Sequence, residues 1–92
     1  MSGAEAADRG LDERSRRILD LERESWQLTV SKERAVRERF GLSMTRYHQL
    51  LTRILDDPAA LAHDPMTVRR LRRVRAARRR LRVADRLGVR LS

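Results

Sequence analysis

Apolar residues recur along this chain at three- and four-residue intervals and nowhere in single alternation, a pattern that predicts helices and no strands. From Leu11 to Trp26, "LDERSRRILDLERESW" sets apolar residues at 11, 18, 19, 21 and 26 among mixed charges. Asp12 is placed to cap a helix over about 12–26, and Glu13 sits favourably at the positive end of its dipole. "QLTV" then breaks the pattern. Ser31 caps a shorter helix, "KERAVRERF", with Ala35, Val36 and Phe40 as its apolar positions. Gly41 follows, where helices commonly end in the left-handed conformation that glycine adopts at least cost. Ser43 caps a third helix, in which Tyr47, Leu50, Leu51 and Ile54 recur at i, i+3, i+4 and i+7, the spacing of one buried face.

The third helix stops at "DDP", because the residue before Pro58 is pushed out of helical geometry. A short apolar segment, "AALAH", comes next. Asp64 and Pro65 then form a strong start signal, N-cap followed by proline at the first helical position. The spacing predicts a fourth helix over about 65–87, ending near Gly88, with an apolar arc of Leu71, Val74, Ala77, Leu81 and Ala84. The fold class expected is all-α: a small helix-turn-helix body of three helices plus a long basic C-terminal helix. Residues 1–10 read as a disordered leader, 11–57 as the body, 58–64 as a linker and 65–92 as the arginine-rich helix.

The stretch "RFGLSMTRYHQLL" joins the second and third helices by a three-residue turn headed by glycine, a helix-turn-helix signature. Phe40 and Leu42 flank the turn and are expected to anchor it, while Tyr47 and Leu50 hold the third helix to the body. Facing away would be Ser43, Met44, Thr45, His48, Gln49 and Thr52. They carry hydrogen-bonding groups, a methionine able to meet thymine methyls, and no acid, a surface suited to a DNA major groove. Arg37 stands where such motifs usually hold a small residue, so a wider crossing is expected, with the arginine stem turned outward.

Charge sharpens this picture. Of the net +9, residues 1–64 contribute −1, from 11 basic and 12 acidic residues; residues 65–92 contribute +10, from 11 arginines against Asp85 alone. Such asymmetry points to a polyanionic partner, nucleic acid before anionic membrane. Arginine outnumbers lysine 21 to 1, a choice that genomic base composition can produce, but composition does not cluster charges. Like-charge pairs at i, i+4, such as Arg69–Arg73, Arg75–Arg79 and Arg78–Arg82, each cost a few tenths of a kcal/mol. A polyanion would relieve that cost, so this helix is expected to fray alone and firm up on DNA. The phosphate-binding candidates are Arg69, Arg70, Arg72, Arg73, Arg75, Arg78, Arg79, Arg80, Arg82 and Arg86, with Arg46 and Arg53 on the third helix. If 6–8 of them reach phosphates, log K should fall against log salt with a slope of about −5 to −7. Phosphate contacts position a protein without conferring sequence preference, so broad binding is expected.

Other chemistry is thinly represented. Without cysteine there is neither a disulfide nor a thiolate metal site. His48 and His63 lie fifteen residues apart with no third ligand in view, so no metal or other cofactor is expected. Asp12, Asp20, Glu22 and Glu24 read as helix-surface carboxylates with neither cleft nor phosphate loop, which points away from an enzyme and from a small-molecule substrate. No apolar run approaches the roughly 20 residues of a bilayer span, and "MSGAEAADRG" lacks the features of a secretory signal. A cytoplasmic, nucleoid location is therefore expected.

The quoted turn, together with "ILDLERESWQLTVSKERAVRERFGLSMTRYHQLL" and "LDDPAALAHDPMTVRRLRRVRAARR", resembles a family of short basic actinobacterial proteins classed as a domain of unknown function with a helix-turn-helix-like body. The likeness runs over about residues 15–88, most specifically in the "FGLS-x-T-R-Y" turn and the "LDDPAAL…DPM…RLRR" segment. It implies cytoplasmic DNA binding of nucleoid-associated or regulatory type. The family pattern carries aromatic residues beside Trp26 and at the position of His48. Here Ser25, Gln27 and His48 stand there, so the resemblance implies a base or phosphate contact for His48 in place of stacking. Other readings stay open: a sequence-specific transcriptional regulator, an RNA or ribosome accessory protein, and an adaptor for RNA polymerase or a sigma factor. Scarce aromatic residues weigh against single-stranded RNA. Binding as a homodimer is open as well.

Overall fold

The computed structural model describes residues 10–88, which leaves the expected leader, save Gly10, and the last four residues outside the described part. Five α-helices follow in order: α1 Glu13–Glu24, α2 Lys32–Phe40, α3 Met44–Leu55, α4 Pro58–His63 and α5 Pro65–Arg86. A 3₁₀ turn, Ser25–Gln27, closes α1, and no strand occurs among the described residues. The all-α expectation holds.

Capping explains where each helix begins. Side-chain oxygens of Asp12, Ser31 and Ser43 accept from the backbone N–H groups of Ser15, Arg34 and Arg46 at 2.7, 3.1 and 3.2 Å. Each satisfies one of the donors that a helix start leaves without a partner. The bonds from Ser15, with the charges of Arg14 and Arg16, hold the Asp12 carboxyl below its ordinary range. Gly41 ends α2 at φ 65°, with its N–H donating to the Arg37 carbonyl at 2.9 Å.

One expectation is corrected. Segment 58–64 is not a linker, because Pro58–His63 forms α4, and Ala59 and Ala60 are buried in the core. The physical reason lies in "DDP" itself. The Asp57 side chain accepts from the Ala59 N–H at 2.9 Å with Pro58 at the first helical position, so the same letters that end α3 start α4. They repeat the Asp64–Pro65 signal that opens α5, where Asp64 accepts from the Thr67 N–H at 3.2 Å.

The core unites Leu11, Ile18, Leu19 and Leu21 with Ala35 and Val36 of α2, the inner face of α3 and, from α5, Val68. Trp26, counted with the apolar positions of α1, is 80% exposed because the 3₁₀ turn carries it off the helical face. The apolar arc expected along α5 is likewise only partly realised. Val68 is fully buried and Leu71 packs on the core, but Val74 and Leu81 are 41% and 54% exposed. Twenty-two helical residues span about 33 Å. From Ala76 onward α5 is exposed except at the half-buried Ala77 and Ala84, and the described molecule measures 53 × 33 × 21 Å.

Candidate nucleic-acid interface

The turn between α2 and α3 is built as its letters require. Phe40 and Leu42 are half-buried against the core, and the Phe40 and Tyr47 rings lie 6.2 Å apart. On α3, Ser43, Thr45, Arg46, His48, Gln49, Thr52 and Arg53 are exposed. Met44, expected on that outward surface, is half-buried and packs on the core. Its place three residues before the buried Tyr47 puts it at the edge of the inner face. Two outward groups are tied locally: Arg46 donates to the Gln49 side-chain oxygen at 3.3 Å, and the Thr52 hydroxyl donates to the His48 carbonyl at 2.9 Å. Arg37 points to solvent and pairs with Glu33 at 3.2 Å, while Ala35 and Val36 make the contact inside.

Three of the arginines expected on phosphates are occupied within the fold. Arg70 donates to the Glu22 carbonyl at 3.1 Å, and Arg72 donates through Nε to the Leu55 carbonyl at 2.7 Å. Arg75 reaches the Thr52 carbonyl at 3.5 Å and the Asp56 carboxylate at 2.9 Å. Their targets are the last residues of α1 and α3, where carbonyls lack helical partners and the dipole is negative. These three arginines dock α5 rather than present it. Arg69, Arg73, Arg78, Arg79, Arg80, Arg82 and Arg86 are exposed and have no acidic partner among the described residues.

The outward edge of α3 and the distal half of α5 face each other across a cleft of about 440 Å³. His48 and Thr52 line one wall and Arg75, Arg78, Arg79 and Arg82 the other, with Leu51, Leu55, Leu71, Val74 and the Glu22–Lys32 pair completing the lining. The outward edge of α3 and the arginine-bearing half of α5 thus share one concave surface. Thr45, Gln49 and Arg53 lie farther round α3, outside this cleft.

One lining residue of the cleft, Glu22, reads as a surface residue in the sequence. Glu22 is only 4% exposed. Its carboxylate accepts from the Tyr47 hydroxyl and pairs with Lys32 Nζ at 2.6 Å, and that ammonium lies 5.6 Å from the Tyr47 ring centroid. Burial, then the adjoining carboxylate, push the Tyr47 phenol far above its ordinary range. Helical spacing was the available signal, since Glu22 follows Ile18 by four residues and Leu19 by three. No group of three His, Asp or Glu side chains able to hold a metal occurs among the described residues.

A family model described as "Protein of unknown function (DUF3263)" matches residues 10–83. The chain belongs to this family. The DUF3263 match takes in the core, the glycine-headed turn and α5 as far as the turn carrying Arg82, so both walls of the cleft lie within it. No curated protein and no solved structure matches the chain. No described helix is long and apolar enough to cross a membrane.

Proposed function

We propose that this protein binds double-stranded DNA with broad sequence tolerance, as a nucleoid-associated protein that modulates transcription. The observation that carries this reading is the distal half of α5. It is largely exposed with Asp85 as its only acid, and from Arg78 onward its arginines have no acidic partner among the described residues. In a free protein those charges repel each other; against phosphates they exchange repulsion for charge-assisted hydrogen bonds and released counterions. Arg78, Arg79 and Arg82 track a sugar–phosphate strand along the cleft, and His48 and Thr52 on the opposite wall add polar contacts to the same strand. Ser43, Thr45 and Gln49, with Arg46 and Arg53 beside them, offer the groove-facing surface. Few base-reading side chains stand beside many phosphate binders, a ratio that favours position over sequence. The actinobacterial, nucleoid-associated character implied by the resemblance belongs to this proposal.

Mobility shifts on several unrelated duplexes of equal length test it. Comparable retardation of all of them is the expected outcome. A single tight complex with one sequence would replace it with the sequence-specific regulator, and preference for structured RNA over duplex DNA would reject it.

A further inference from the structure

The unpaired arginines of α5 do not share one face. At 100° per residue, Arg69, Arg73 and Arg80 fall within about 40° of one another around the helix axis. Arg78, Arg79 and Arg82 centre about 150° away from them. The structure agrees with the periodicity, for the second set lines the cleft against α3 and the first set lies outside it, exposed to solvent. Neither set meets an acid among the described residues. The outer set spreads over about 16 Å of helix, ample for successive phosphates of one strand. Phosphates met by the cleft arginines lie on the body-facing side of α5, so the outer arginines, about 150° round the helix, point away from that strand.

We infer that α5 carries two opposed DNA-binding faces, and that one chain holds two duplexes together. The claim rests on the DNA-binding reading above and deepens it, from coating of one duplex to bridging of two. Charge complementarity identifies the second occupant: three uncompensated guanidinium groups on an exposed helical face, flanked by Ala76 and Ala77 and no acid, match a second phosphate backbone.

The experiment captures a fluorescent duplex on an immobilised duplex of different sequence, with the full chain as the only link. Two triple variants with equal loss of charge are compared, R69A/R73A/R80A and R78A/R79A/R82A. Alanine at these exposed positions raises helix propensity, and circular dichroism verifies the fold of both. The native chain is expected to capture the second duplex. Each triple should still bind a single duplex through its remaining face and should lose capture about tenfold or more. Capture by R69A/R73A/R80A at the native level overturns the inference, because bridging would then come from a dimer using one face twice. Capture absent for the native chain while single-duplex binding persists also overturns it and leaves the DNA-binding reading standing. Failure to bind any duplex removes both.

Discussion

Tyr47 shows how much a single residue carries here. It is fully buried, its ring packs near Phe40, and its hydroxyl donates to a carboxylate that is itself buried. Removing that donor with Tyr47→Phe leaves the ring in place and deprives Glu22 of a partner. A loss of about 2 kcal/mol in denaturant unfolding is expected, since bonds to charged groups are the stronger kind. Alkaline pH gives a second test. The phenol is raised in the folded state above its unfolded value of about 10, so its contribution is complete below that pH and declines as pH climbs past it. As the chain has one tyrosine, phenolate absorbance should rise only together with loss of helical signal. Phenolate forming near pH 10 in a folded protein would refute the buried bond. At Gly41 the cost of a side chain is purely conformational, because φ is 65° and nothing lies within 4 Å of an added Cβ. Gly41→Ala should therefore cost about 1–2 kcal/mol, and Gly41→Asn less, in thermal unfolding. Glu22 reads as a surface residue because its charge masks the helical spacing that sets it on the buried face. The Tyr47 partnership joins residues twenty-five apart and leaves no local trace.

Among the elements, the caps were the most legible. Asp12, Ser31, Ser43 and Asp64 each start the helix that their spacing implies, and Gly41 and Gly88 both adopt positive φ near the ends of α2 and α5. Such signals are local, so sequence suffices to find them. The α4 segment was hidden for the opposite reason: six residues show no full period, and proline was read only as a terminator. Its place is fixed by packing between α1 and α5, which no window of sequence contains. Nor could the division of labour among the arginines be read, because it depends on which carbonyls end up within reach. Arg72→Ala should destabilise the fold by about 1.5 kcal/mol by leaving the Leu55 carbonyl without its donor. Arg73→Ala, one residue on and exposed, should change stability by less than about 0.5 kcal/mol. Equal effects at the two positions would show that Arg72 does not dock α5.

At the scale of the molecule, charge and core are interleaved rather than stacked in sequence. The +10 segment contributes Val68 to the core and Leu71 to its edge, so cutting the chain after His63 would unmake the body along with the basic helix. Loss of DNA binding in such a truncation would say nothing about phosphate contacts. Substitutions on the distal half of α5 avoid this, because that half makes few contacts with the body. With Arg70, Arg72 and Arg75 committed to docking, a duplex on the cleft side meets Arg78, Arg79 and Arg82 together with Arg46 and Arg53, and the salt slope expected of the native chain on one duplex is about −4.5. The most direct measurement is the affinity for one duplex across a salt series, for the native chain and for R78A/R79A/R82A. The slope should weaken from about −4.5 to about −3, with weaker binding, while thermal stability stays unchanged. A slope that the triple variant leaves as it was would contradict the assignment of the cleft arginines to phosphates.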